Sequence, residues 1–382
     1  MRSPWGIIVA VCLFASLTPS APAFAQGFFG LSPTPSKPPV KAPPPVSPAV
    51  IAQRRANEWV IGLAGGSLRG TFLQVASDIA RVVDEGEKLR VVGMLTEGST
   101  QNVYSLLFVP NVDIAVVSAD AFAQVHQQGK VKNVAKRVQY ITQLYVNSLQ
   151  VLARPDITKL DDLQGKKVAI AEKGSTAANL ALKVLERNGV KPQVSYIGWR
   201  KGIAKVQSGE FAAVFATFVK GEDTLYSRIK NPKGMHLLSV SMDKMDKEHY
   251  IPVVLEYDDY NNLIAPGDQV QTIGNPVVLA VRNLSKKHAR YRKVARFVDR
   301  FFENYRKLKV PPYHSAFKNI DVSKKVPGWE RYWYAETVLK KHLATRVKTT
   351  SSVTSKTAAA LTKRQERLFR EFLEWKNMHL QR

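Results

Sequence analysis

The chain has 382 residues, 45% of them hydrophobic, and a formal net charge of +25 from 56 Lys and Arg against 31 Asp and Glu. That length and apolar content suit two domains with sizeable cores and exclude general disorder, while the charge implies attraction to an anionic ligand or surface. The single cysteine, Cys12, lies in an N-terminal apolar run, so a chain processed after that run has no disulfide, thiolate metal site or cysteine nucleophile.

Residues 1–25 read as a signal peptide. Arg2 supplies the charge, Ile7 to Leu17 the apolar run and Ala23-Phe24-Ala25 the small-residue site, so cleavage is expected after Ala25 with export to the periplasm. From 26 to 55 prolines recur (Pro33, Pro35, Pro38, Pro39, Pro43 to Pro45, Pro48), which favours an extended tether over a packed element.

The stretch from Trp59 to Arg81 reads as strand, glycine turn and helix: an apolar run to Leu63, then Gly65, Gly66 and Gly70, then Leu73, Val75, Ala76, Ile79 and Ala80 at helical spacing. First-turn amides of a helix lack internal acceptors and carry the positive end of its dipole. Ser67 and Thr71 would therefore stand where a carboxylate or phosphate can be received. The alternative is that the glycines only permit tight backbone geometry.

The same arrangement recurs. Leu89 to Leu95 leads into Thr96-Glu-Gly-Ser-Thr-Gln-Asn102 and a helix, where Ser99 and Thr100 either cap the helix start or touch a ligand. Asn111 to Asp120 is a third strand, and the rule that ligands sit at the carboxyl ends of strands in open α/β sheets brings Ser118 toward the other two turns. Tyr140 to Tyr145 and Ser148 to Ala153 read as extended. Val168 to Ala171, Gly174-Ser-Thr-Ala-Ala-Asn179 and its helix, Gln193 to Ile197, a helix over Gly202 to Gln207, and Phe211 to Thr217 repeat the alternation, with Ser175 and Thr176 at another glycine-bearing helix start. Gln271 to Val281 is an apolar strand interrupted by Gly274 and Pro276. Next come a helix from Lys286 to about Lys307 with a stripe of Tyr291, Val294, Phe297, Val298, Phe301 and Phe302, and an aromatic-rich section expected to dock on the core. Lys341 to Arg382 holds ten Lys or Arg against three acids and is helical in composition near its end. Such a helix either lies on an anionic membrane or cell-wall surface or packs on the body.

Enzyme signatures are missing: no H-E-x-x-H, G-x-S-x-G or Walker loop, no histidine pair at metal spacing, and glycines at 62 to 70 that do not fit G-x-G-x-x-G. No catalytic residue, metal or cofactor is assigned. The chain carries no nucleic-acid recognition module either.

Six segments, Gly65-Gly-Ser-Leu-Arg-Gly-Thr-Phe72, Thr96 to Asn102, Asn111 to Asp120, Leu160 to Ile170, Gly174-Ser-Thr176 and Phe211 to Phe215, occur in an order that resembles the TAXI family of TRAP transporter solute receptors, from about Trp59 to Leu339. The resemblance implies an α/β, two-lobed periplasmic binding protein of type II with its ligand in the cleft between lobes: 56–150 and 255–340 in lobe I, 151–254 in lobe II, and 341–382 as an extension. Crossings are expected near Leu149 to Val151 and Val253 to Tyr257. It further implies a small organic acid or amino acid ligand, such as glutamate or 2-oxoglutarate, handed to TRAP permease subunits. The expected ligand-binding residues are Ser67, Arg69, Thr71, Ser99, Thr100, Ser118, Ser175 and Thr176, with Tyr145, Phe218 and Asn275 offering a stacking face or an amide. Two departures stand out, Leu68-Arg69 in place of a fuller glycine-threonine run and Ser118 where relatives often carry Gln. Arg69 either adds a charge-assisted contact or points into solvent. The tether and extension exceed the usual family length, so a ligand-sensing or cell-envelope interaction protein on the same fold is the alternative.

Overall fold

The computed structural model describes residues 47–68, 70–221, 229, 232, 234–345 and 367; the expected signal peptide, most of the tether, Arg69 and nearly all of the basic extension lie outside them. In chain order the elements are α1 (Pro48–Ala56), β1 (Val60–Ala64), α2 (Thr71–Val83), β2 (Arg90–Met94), α3 (Ser99–Phe108), β3 (Val112–Ser118), α4 (Ala119–Gln127), α5 (Val134–Arg137) and β4 (Val138–Ala153). They continue with β5 (Lys167–Ile170), α6 (Thr176–Asn188), β6 (Gln193–Tyr196), α7 (Gly198–Gln207), β7 (Ala213–Val219), β8 (His236–Leu238), β9 (Ile251–Glu256), β10 (Gln269–Arg282) and α8 (Tyr291–Asn304). Residues 333–345 are also helical. One difference from the sequence reading comes early: the tether expected to run to 55 gives way to α1, and Pro48 stands at its first position, where a missing N–H breaks no helical bond.

Among the described residues all ten strands belong to one sheet, ordered β2-β1-β3-β10-β4-β7-β5-β6, with β8 on β4 and β9 on β10. β1 pairs in parallel with β2 and β3, and β5 in parallel with β6 and β7, as strand and helix alternation requires. The two long strands, β4 and β10, run antiparallel through the middle.

The buried side chains separate into four groups, two for each half of the sheet. On one face of the first half, α2 and α8 cover Ile61, Leu63, Ile114, Tyr145, Val277 and Leu279. On its other face Ala115, Val117, Val278 and Ala280 pack with Val103, Leu106 and Phe122 of α3 and α4. In the second half α6 covers Leu149, Val151, Val168, Phe215 and Ile273, while Leu152, Ala169, Val214 and Ala216 pack with Ile203 and Val206 of α7. Two cores divided in this way make two lobes. Of the stripe expected on the late helix, Val294, Phe297, Val298, Phe301 and Phe302 are buried, while Tyr291 at its start is only half-buried. Each large side chain contributes roughly 1.5–3 kcal/mol on burial.

The first crossing falls within β4, where Tyr145 belongs to one core and Leu149 to the other. The second differs from expectation. Leu255, Tyr260, Leu263, Ile264 and Val270 pack in the second lobe, so the chain returns not at 253–257 but within β10, between Ile273 and Val277. The reason is geometric: β9 and the start of β10 form an antiparallel pair (Gln269 to Gly274 against Glu256 to Ile251), which keeps both on the same side.

At the end of the sheet away from the strand carboxyl termini, the buried Asp113 of β3 binds Lys293 Nζ at 2.8 Å and Arg290 at 3.0 Å, and Lys293 also donates to the Val60 carbonyl at 2.6 Å. This fastens α8 to two strands. The aromatic section docks as expected: Trp329 stacks on Phe122 with centroids 3.9 Å apart and donates Nε1–H to the Val138 carbonyl at 3.0 Å.

Candidate functional site

A cleft of about 390 Å³ opens at the carboxyl ends of the strands. From the first lobe come Gly66, Ser67, Gly70 and Thr71 at the β1–α2 turn, Glu97 and Gly98 after β2, and His314. The second lobe contributes Glu172, Ser175 and Thr176 after β5, Trp199 and Arg200 after β6, and Thr217 and Phe218 of β7. Asn147 of β4 lies between them.

The β1–α2 turn is shaped by close packing. A Cβ on Gly65 would stand 2.9 Å from Leu73 Cα, and one on Gly66 2.9 Å from Phe72 Cβ. These two glycines are required by the packing, because only a missing side chain lets the strand end meet the helix. The turn is held from below by Asn102, whose Nδ2 donates to the carbonyls of Gly65 at 2.5 Å and Val116 at 2.8 Å. Among the described residues no side chain caps α2: its N-cap is Gly70, and its first residues face the cleft. The start of α6 opens into the same cleft from the other lobe, but Ser175 is its cap and accepts from Ala178 N at 3.2 Å. Two helix N-termini, one from each lobe, thus border one space.

Of the expected residues the cleft brings together Ser67, Thr71, Ser175, Thr176 and Phe218. Ser99, Thr100, Ser118, Tyr145 and Asn275 are not on its lining, and Arg69 lies outside the described residues. Ser99 and Ser118 turn to each other. The Ser118 amide donates to Ser99 Oγ at 2.6 Å, the two hydroxyls are 3.0 Å apart, and Ser118 Oγ donates to Asp120 Oδ1 at 2.6 Å. The hydroxyls staple α3 to the end of β3 instead of facing a ligand. Tyr145 is buried in the first lobe's core.

The sequence reading missed Trp199, Arg200, Thr217, Asn147, Glu97, Glu172 and His314. Starting the helix at Gly202 hid the first two; α7 begins at Gly198, a left-handed residue with φ 73°. The signal was available, since Gly198 follows a strand and opens a helix as the other cleft turns do. Trp199 meets Phe218 edge-on with centroids 5.2 Å apart, and the Arg200 guanidinium lies 4.3 Å over the Trp199 ring. Together they form an aromatic wall with a cation on it. His314 donates its amide to Asp78 at 2.8 Å, and its Nδ1 accepts from Ala316 N at 3.1 Å, which leaves the ring proton of the neutral form on Nε2. Despite the charge of the whole chain, the described lining carries two carboxylates and one guanidinium.

The lining thus offers hydroxyls, an imidazole, charges of both signs and an aromatic surface to whatever enters the cleft. Elsewhere, Asp246, Glu248 and His249 bring three possible metal-ligand atoms within 4.8 Å, on a turn whose Asp246 carboxylate accepts the Glu248 amide at 2.9 Å.

Residues 63–328 match the NMT1-like family. The chain belongs to that family. A search of curated proteins gave no match for this NMT1-like chain. Among solved structures it is similar to XAC2383 from Xanthomonas citri bound to chloride ion, with 14% identity, 76% of this chain and 99% of that one covered, and a TM-score of 0.44. It is also similar to the alkanesulfonate-binding protein SsuA from Xanthomonas axonopodis pv. citri bound to MOPS (15% identity, 65% and 74% covered, TM-score 0.36). A third is a TctC solute binding protein from Polaromonas (16% identity, 64% and 88% covered, TM-score 0.38).

Proposed function

We propose that this protein is an extracytoplasmic solute receptor that captures a small organic anion between its lobes, a carboxylate of the glutamate or 2-oxoglutarate type, and delivers it to a TRAP-type permease. The observation that carries this reading is the opening of α2 and α6 into one cleft from opposite lobes. Oriented first-turn amides supply partial positive charge without the desolvation cost of a buried lysine. Thr71 and Thr176 add hydroxyl donors, Arg200 a full positive charge, and the Trp199–Phe218 wall a surface for the ligand's carbon skeleton. Closure of the lobes excludes water and strengthens each of these bonds.

A thermal-shift screen of the chain from Gln26 onward against organic acids and amino acids tests the reading. A ligand present at about 100 times its dissociation constant stabilises by about 2.7 kcal/mol. The shift should vanish in a Thr71→Val, Thr176→Val double variant. A folded protein that no acid stabilises would remove the receptor reading. The sensing or envelope-interaction alternative draws on the long tether and basic extension, and permease genes beside this one would speak against it.

A further inference from the structure

The sheet floor beneath the cleft carries a polar break in two otherwise apolar rows. On β10, alternate residues on the face covered by α2 and α6 are Ile273, Asn275 and Val277; the first belongs to the second lobe's core and the last to the first lobe's. On β4 the corresponding row is Tyr145, Asn147 and Leu149, split between the same two cores. The rows are in register, Asn275 opposite Asn147 and Val277 opposite Tyr145. Directly opposed residues of an antiparallel pair point to one face, so Asn275 faces the same side as Asn147, which lines the cleft. Next to them on β7, Thr217 opposes Leu149 and also lines the cleft. Three neighbouring strands thus place Asn275, Asn147 and Thr217 where the two cores part.

Asn275 is fully buried, and among the described residues neither its Oδ1 nor its Nδ2 has a hydrogen-bond partner. An apolar side chain would continue the row at this position without a desolvation penalty. On β4's opposite face, Ser148 Oγ donates to the Phe218 carbonyl at 2.9 Å and Gln150 Nε2 donates to Tyr260 at 2.9 Å.

We propose that Asn147 on the lining and Asn275, buried beside it and just off the lining, together determine specificity at the cleft's floor, receiving a neutral group of the ligand that donates and accepts a hydrogen bond at once, such as a primary amide or a hydroxyl. A second carboxylate would fit poorly, because it satisfies Nδ2 and leaves Oδ1 facing another acceptor. The anion-binding helix starts hold the charged end of the ligand, and the floor reads the other end. This inference rests on the receptor reading above for the carboxylate held at the helix starts, and departs from its glutamate or 2-oxoglutarate type at the far end, where a neutral group replaces the second carboxylate.

The test compares four acids of one length: 4-carbamoylbutyrate, 5-hydroxyvalerate, glutarate and valerate. Their distal groups are amide, hydroxyl, carboxylate and methyl. In the unaltered protein the amide and hydroxyl acids should bind about tenfold more tightly than valerate, and Asn275→Leu should close that gap without abolishing valerate binding. With no acid present, Asn275→Leu should hold or raise the melting temperature, since it removes an unpaired buried amide. Equal affinity for hydroxyl and methyl acids, a gap that survives the substitution, or a marked fall in the melting temperature would each overturn the proposal. If Asn275→Leu does not fold, Asn147→Leu approaches the floor from the cleft side and should close the same gap. Should none of the four acids bind, the carboxylate-receptor reading fails, and the melting temperature of the acid-free variant still decides whether the amide is kept at a structural cost.

Discussion

Tyr250, in the core of the second lobe, donates its hydroxyl to the Asp120 carboxylate at the start of α4 in the first, 3.4 Å away. Burial and the neighbouring carboxylate push the phenol far above its ordinary pKa, so it stays a donor throughout the working range. Asp120 is meanwhile held by Ser118 Oγ at 2.6 Å and the Ala121 amide at 2.7 Å. Tyr250→Phe should cost about 1 kcal/mol in urea unfolding, the usual worth of one such bond. If this bond helps set the spacing of the lobes, the variant should also show a larger radius of gyration by small-angle scattering without ligand. An unchanged radius would assign the contact to stability alone.

The Asp113 cluster predicts a larger effect. A fully buried carboxylate shared by Lys293 and Arg290 leaves two cations uncompensated when it is removed. Asp113→Ala should lower stability by about 3–5 kcal/mol, and adding Lys293→Met should recover part of the loss. Chemical denaturation of wild type, both single variants and the double variant measures the coupling, and full additivity of the two losses would contradict it.

Gly66 offers a direct test of the cleft wall. A Cβ there would stand 2.9 Å from Phe72 Cβ, at the point where α2 begins. Gly66→Ala should push the helix start outward, weaken binding of the best acid from the screen at least tenfold and lower the melting temperature modestly. Calorimetric titration reads the first effect and thermal unfolding the second.

Acid stability has a local contributor at the start of the second lobe. Arg154 grips Asp156 with two hydrogen bonds, at 2.9 and 2.8 Å, and Lys166 adds a third at 3.2 Å. The Arg154 bond is the main reason the carboxyl falls from 3.8 to about 2. A depressed carboxyl pKa stabilises the fold above the unfolded value and ceases to do so as pH falls through the folded one. The contribution is therefore complete above about pH 4 and lost toward pH 2. Half the carboxylate is exposed, so solvent screening keeps the effect small. Asp156→Asn should flatten the acid limb of the stability curve over that window and leave the difference from wild type smaller in high salt.

Much of the fold was legible in the sequence because period and punctuation agree there. Strand, glycine and helix recur at Trp59 to Val83 and Lys167 to Asn188, and the strand-end rule pointed to Ser67, Thr71, Ser175 and Thr176, all on the cleft. Ser99 and Ser118 met the same local criteria, yet their hydroxyls close on each other and on Asp120. That choice depends on two segments meeting in space, which spacing does not encode. Trp199 and Arg200 precede the apolar positions that mark α7, so periodicity alone opens the helix at Gly202 and leaves both outside it. The return crossing was misplaced for a related reason: β9 has no distinctive residue at its end, and only its pairing with β10 shows which lobe holds it.

Continuity of β4 and β10 through both cores also governs how the molecule can come apart. Each strand supplies inner ladder positions to two hydrophobic interiors, so neither interior is complete without the other's chain. Cutting out residues 149–273 as a separate fragment would leave four half-strands with open edges, and such edges invite aggregation. The two lobes should therefore melt in one calorimetric transition, and a fragment of either alone should be recovered insoluble.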